Sequence, residues 1–225
     1  MVKNTYLIRL GEIALTYKDH NNHKILYYSE VWIDGYNLSE YINSNGGTLS
    51  EQVVIKIGID ISYAIEELWK YNKIHRDIKP NNIMYDQRNN RFVLLDMGMV
   101  YDAHYDTLTK FGFLPGTMGY YSPEQFDLTK KKDLDFRSDL FCLGVVMYET
   151  ITGHHPFKRN GLTQDQVFYN IIHGQQIAIS DLVENISDEF ASIVNRLLRK
   201  RPSERYKTVS SFREKLKELF EGEDK

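Results

Sequence analysis

The sequence predicts an α+β fold in which a small β-rich front precedes a large helical back. Three observations predict it. Runs of β-branched and aromatic residues crowd positions 6–33. Apolar residues recur with a helical period in the long segments that follow. No repeat, low-complexity tract or linker divides the 225 residues.

The elements can be justified in chain order. Tyr6 to Tyr17 and Lys24 to Ile33 suit strands, and "KDHNNHK" between them is a turn cluster, so an antiparallel hairpin is expected. "DGYNLSEYINSNGG" then opens a short helix. Ser50 with Val53 through Lys73 predicts a longer one, with Val54, Ile57, Ile61, Ile65 and Leu68 on one face. The runs "NIMYD" and "RFVLLD" read as two strands joined by a tight "QRNN" turn, which sets Asp77, Asn82 and Asp96 at strand ends. After a glycine-containing loop from Gly98 to Gly119, helices are predicted over Ser138 to Thr152, Thr163 to His173, Ser187 to Lys200 and Thr208 to Phe220, with a frayed "EGEDK" tail.

Composition narrows the function. A formal net charge of −3, without basic blocks, gives no reason to expect nucleic acid or an anionic membrane. No apolar run is long enough to span a bilayer, and "YLIRLGEIAL" is broken by Arg9 and Glu12, so it fails as a signal-peptide core. The single cysteine, Cys142, lies in an apolar run and is expected to be a buried structural thiol, in keeping with a reducing, cytoplasmic location.

The stretch "IHRDIKPNNIMYD" holds the candidate chemistry. If Asp77, Asn82 and Asp96 converge, an amide oxygen and a carboxylate form a hard donor set suited to Mg²⁺, and Asp77 is left to act as a base. Lys79 would place a compact cation near a transferring phosphoryl group. Taken singly, each Asp could be a helix cap or turn former and Lys79 a solvated charge. The joint pattern decides between the readings. His75-Arg76-Asp77, Lys79, Asn82, Asp96-Met97-Gly98, Gly116-Thr117 and Ser122-Pro123-Glu124 follow one another in order.

On these residues the sequence resembles the eukaryotic-type (Hanks-type) serine/threonine protein kinases, from about Tyr6 to about Phe220. "HRDIKPNN" is similar to their catalytic loop, "DMG" to the metal-binding D-F-G, "GTMGYYSPE" to the A-P-E segment, and "RSDLFCLGVVMYETITGHHPF" to their central buried helix. The resemblance implies a protein-kinase-like fold, with residues 1–33 a remnant of the N-terminal lobe and 34–225 the C-terminal lobe. It implies ATP and Mg²⁺ as cofactors and a protein substrate. It makes Asp77 the catalytic base, Lys79 the γ-phosphate contact, and Asn82 and Asp96 the magnesium ligands. Thr117 would face the substrate, Ile33 would meet adenine at the hinge, and Met84 would floor the purine pocket; for Ile33 and Met84 ordinary core packing is the alternative. Lys79 and Thr117 together resemble the serine/threonine branch. Glu124 and Arg205 are expected to pair, and Asp139 to hold the catalytic-loop backbone.

The resemblance also sets expectations about what departs from the family. The Gly-rich loop, the strand lysine and its helix glutamate have no counterpart, since only Met1 to Asn4 precede the first matching segment. Nucleotide is therefore expected to bind weakly, and the open sheet edge to invite a partner chain or self-association. Lys110 to Gly116 carries no hydroxyl residue, so phosphorylation control of that loop is not expected; Arg76 is expected in solvent or beside a carboxylate. The alternative functions are a pseudokinase protein-binding module and an inactive truncated fragment.

Overall fold

Strands β1 (Leu15–Lys18) and β2 (Lys24–Tyr27) form the predicted antiparallel hairpin, with Leu15 opposite Tyr27 and Lys18 opposite Lys24. The computed structural model describes residues 6–7, 15–18, 24–27, 31–95, 101–102, 118–126 and 134–222. Val31 to Ile33, expected in the second strand, lie outside any strand. Tyr6 and Leu7 instead join a later strand: Tyr6 O accepts a hydrogen bond from Leu94 N at 2.8 Å, and Leu7 bridges Leu94 in parallel. Burial explains the preference, since Leu7 is buried and Tyr6 stacks on Tyr63 of the helical layer with ring centroids 4.9 Å apart.

Strand β3 (Gly35–Asn37), which the sequence pattern does not announce, leads directly into α1 (Leu38–Ser44). Asn37 caps that helix reciprocally: its side chain accepts from Glu40 N at 2.9 Å, and Glu40 accepts from Asn37 N at 3.1 Å. Helix α2 (Glu51–Trp69) follows and buries Val54, Ile57, Ile61, Ile65 and Leu68, the predicted face. It ends before the expected Lys73, because Asn72 takes a left-handed φ of 54° and turns the chain into β4 (Lys73–Ile74).

Strands β5 (Ile83–Asp86) and β6 (Arg91–Leu94) are the predicted second hairpin, with Met84 opposite Val93 and Tyr85 opposite Phe92. Asp86 organises its turn by accepting from Asn89 N, Asn89 Nδ2 and Arg91 Nε. Burial pushes the Asp86 carboxyl up, but these donors outweigh it and hold the group below its ordinary value. The antiparallel order is β3-β5-β6, and a Cβ on Gly35 would lie 1.8 Å from Tyr85 O, so only glycine admits β3 this close. Short β7 (Tyr101–Asp102) pairs with β4.

One buried carboxylate ties sheet to helix. Asp60 of α2 accepts from Phe92 N at 2.9 Å and pairs with Lys56 at 3.2 Å, while burial raises its carboxyl above the ordinary range. Helix α3 (Phe136–Thr152) is buried almost all round and ends at Gly153 in the left-handed conformation, φ 71°. Helices α4 (Gln164–His173), α5 (Asp188–Leu197) and α6 (Val209–Gly222) start after side-chain caps from Thr163, Ser187 and Thr208 respectively. A Cβ on Gly144 would lie 2.6 Å from Leu197 Cβ, so α3 and α5 meet at near backbone contact there. Among the described residues no helix is long and apolar enough to cross a membrane.

Candidate active site

The loop from His75 to Asn82 runs between β4 and β5, and buried Asp139, in the first turn of α3, fixes its start. The Asp139 carboxylate accepts from His75 N at 2.8 Å and from Arg76 N at 2.9 Å. Arg76 has a left-handed φ of 66°, a conformation that costs about 1 kcal/mol for a non-glycine residue and persists only where the surroundings demand it. The two captured amides supply that demand. Burial raises the Asp139 carboxyl, while the His75 and Arg76 donors pull it back.

The His75 ring makes a second fastening. Its Nε2 lies 2.8 Å from Leu95 O and its Nδ1 accepts weakly from Asp77 N at 3.4 Å, so Nε2 carries the proton. Leu95 N in turn donates to Asn82 O at 2.8 Å. Leu95, the chain neighbour of Asp96, is thus gripped on both sides by this loop.

Within the loop, Asp77, Lys79 and Asn82 lie together, while Asp96, expected to converge with Asp77 and Asn82, falls outside the described residues. Asp77 Oδ2 accepts from Lys79 Nζ and from Asn82 Nδ2, each at 2.8 Å, and Asn82 Nδ2 also reaches Asp77 O at 2.8 Å. Asp77 is only 6% exposed. A carboxylate so enclosed depends on its cationic and amide donors for solvation. Among the described residues, Asp77 Oδ1 and Asn82 Oδ1 accept no hydrogen bond and remain free acceptors. Tyr121 lies close by, its hydroxyl pushed up to about 12 by burial and then by the Asp77 charge, so it stays protonated.

The Pro123–Phe126 turn is locked beneath the loop. Glu124 and Arg205 form the expected ion pair in a bidentate arrangement at 2.6 and 2.9 Å. Arg205 spends its remaining donors on Arg199 O, Arg137 O and Lys200 O, and Glu124 accepts also from Ser138 Oγ. Gln125 accepts from Ser122 N and Oγ and donates to Arg76 O at 3.4 Å, joining this turn to the catalytic-loop candidate. Cys142 is buried with its thiol pushed up by desolvation, which makes it an inert packing group.

A cleft of about 320 Å³ opens beside Lys79, between α1, Pro80, Asn81, Tyr120 and Glu149. Tyr120 donates its hydroxyl to Glu149; burial raises both groups above their ordinary values. A larger cleft of about 700 Å³ lies between α5 and α6 and includes none of the predicted site residues.

Ile33 stands half-buried two residues before β3, and Met84 is half-buried on β5 opposite Asn37. Asp96 and Thr117 lie outside the described residues, as do Thr107, Thr109 and most of the Gly98–Gly119 loop. Among the described residues no group of three His, Cys, Asp or Glu side chains is placed to hold a metal. Sequence reasoning passed over the His75 ring, Gln125 and the Tyr120–Glu149 pair. Glu149 carried a signal, a lone acid inside the apolar run "VVMYETI".

Comparison with known proteins agrees with this geometry. The family model described as protein kinase domain matches residues 2–217. The serine/threonine-protein kinase PknB of Mycolicibacterium smegmatis is 31% identical over 205 residues, 90% of this chain and 32% of the relative. PknB of Mycobacterium leprae is 32% identical over 193 residues, covering 85% and 30%, and the serine/threonine-protein kinase Pkn1 of Myxococcus xanthus is 31% identical over 190 residues, covering 82% and 26%. The chain therefore spans 26–32% of the length of these relatives. With the Asp77 cluster, the Asp139 anchor and the Glu124–Arg205 pair all in place, the chain belongs to the protein kinase family, in its Hanks-type serine/threonine branch.

Proposed function

We propose that this chain is the catalytic domain of a serine/threonine protein kinase, which moves the γ-phosphoryl group of ATP to a hydroxyl of a protein substrate. The observation that carries the reading is the Asp77 carboxylate, oriented through Oδ2 by Lys79 and Asn82, with Oδ1 accepting no hydrogen bond among the described residues. In the transfer, the acceptor oxygen bonds the γ-phosphorus as the bond to the departing diphosphate oxygen breaks, and Asp77 Oδ1 receives the hydroxyl proton. Lys79 holds a positive charge at the edge of that carboxylate, where the transferring oxygens collect negative charge.

The donor set fits a hard divalent cation. Asn82 commits its amide nitrogen to Asp77, which leaves Oδ1 as an oxygen donor, and Asp96 adjoins Leu95, whose backbone the loop grips. Asn82 and Asp96 would hold Mg²⁺, which supplies charge neutralisation on the phosphate oxygens when bound. Ile33 and Met84 are assigned to the adenine side, and Thr117 to the acceptor side, on their motif positions. The boundary between the front, residues 1–33, and the C-terminal lobe, 34–225, is assigned in the same way. The reduced, buried Cys142 supports a cytoplasmic setting. The β1–β2 ribbon, two-stranded among the described residues, supports pairing with a partner chain or a second copy through its edge.

Two measurements test the reading together. Phosphate transfer from Mg-ATP to dephosphorylated casein should fall about 10²–10⁴-fold in Asp77→Asn. Mg-ATP should raise the melting temperature of the wild-type chain and not of Asp96→Ala. Transfer no greater than that of Asp77→Asn, with flat melting curves, would turn the reading to a protein-binding module.

A further inference from the structure

We propose that His155 is a positioning residue for the protein acceptor: its imidazole holds the Gly119 carbonyl, and through it the Gly119–Ser122 strap, whose Tyr120 walls the cleft beside Lys79. The proposal rests on the kinase reading above. His155 Nδ1 accepts from two backbone amides of its own loop, Phe157 N at 3.1 Å and Lys158 N at 3.0 Å. That double acceptance assigns the proton to Nε2, which lies 2.9 Å from Gly119 O and donates to it. The ring is a clamp with a fixed polarity. One side is anchored in the loop after α3, and the other grips a carbonyl 36 residues away.

The surroundings favour the same tautomer and the same contact. Burial pulls the imidazole down to about 4, so it stays neutral, and a protonated ring would turn a donor toward two donors. Gly119 presses against the ring so closely that a Cβ there would lie 3.1 Å from Nε2. The Tyr120 ring packs edge-on to the imidazole at 5.4 Å, and its hydroxyl runs on to Glu149 in the cleft wall. At the other end of the strap, Ser122 is pinned by Gln125. The strap is therefore held by His155 at Gly119, by Glu149 at Tyr120 and by Gln125 at Ser122, and of these holds Gln125 also reaches Arg76 O. The His155 ring bonds none of the Asp77, Lys79 and Asn82 group, whose loop starts from the two amides captured by Asp139.

This separation predicts a split in the kinetics. His155→Asn keeps an acceptor near the Nδ1 position for the two amides but cannot reach Gly119 O. His155→Gln places a donor near the Nε2 position. In the full chain, His155→Asn should raise the KM for dephosphorylated casein roughly threefold to tenfold, the fold-change of one lost hydrogen bond. The KM for Mg-ATP should stay within about twofold, and His155→Gln should restore most of the casein KM. An unchanged casein KM in His155→Asn, or equal rises in both KM values without rescue by His155→Gln, would overturn the proposal. If the wild-type chain transfers no more phosphate than Asp77→Asn, the kinase reading fails, and the clamp is then read by hydrogen exchange. Faster exchange at Tyr120–Ser122 in His155→Asn than in His155→Gln supports the clamp, and equal exchange refutes it.

Discussion

Replacing Asp139 with Asn tests whether the loop geometry is made by long-range capture of two amides or by the loop itself. The carboxylate offers one acceptor oxygen to His75 N and the other to Arg76 N, at 2.8 and 2.9 Å, inside a fully buried site. An Asn side chain keeps one acceptor and turns an NH₂ group toward the second amide. One buried donor is left unpaired, at about 1–3 kcal/mol, and the surviving bond loses its charge assistance. Part of this is offset, because an ionised Asp139 carries a burial penalty of its own. The net loss should be about 2–3 kcal/mol, read as a lower urea midpoint at unchanged slope. Activity should fall further than stability. Arg76, at φ 66°, is the residue just before Asp77, so its relaxation displaces the base, and a misplacement of about 1 Å costs on the order of 10²-fold. The reasoning is refuted if Asp139→Asn changes stability by less than about 0.5 kcal/mol and retains the wild-type transfer rate.

Two further predictions follow from buried charge. Arg205→Met strands Glu124 with Ser138 as its remaining side-chain donor and should destabilise the fold by about 3–5 kcal/mol in urea titration; Arg205→Met with Glu124→Leu should recover a measurable part, and a purely additive double variant would refute the coupling. His155 makes the fold sensitive to acid. Its pKa is lowered from the ordinary 6.5 to about 4, by burial first and then by Lys158, so between those values the unfolded chain binds a proton that the fold refuses. Stability therefore rises with pH through that window and is lost on acidification, by roughly 3 kcal/mol at its lower end. Urea midpoints at pH 7, 5.5 and 4 should fall less steeply for His155→Gln than for the wild-type chain, and parallel curves would contradict the assignment.

Elements specified by neighbouring residues were legible in the sequence. The helical period of α2, the hairpin of β5 and β6 around "QRNN", and the caps Thr163, Ser187 and Thr208 each depend on groups a few residues apart. The Asp77-Lys79-Asn82 cluster belongs to the same class, since one short loop carries all three side chains. Tertiary structure alone decided the rest. Strands β3, β4 and β7 are too short for any pattern and exist because partners elsewhere accept their hydrogen bonds. Tyr6 and Leu7 left the expected hairpin for β6 because the helical layer offered burial and an aromatic partner. The left-handed Arg76 is held by Asp139, 63 residues away, and the Gly119 strap by His155, 36 residues away. Local spacing determines which groups can meet within a turn, whereas chain closure and desolvation determine which distant donor a buried acceptor finds.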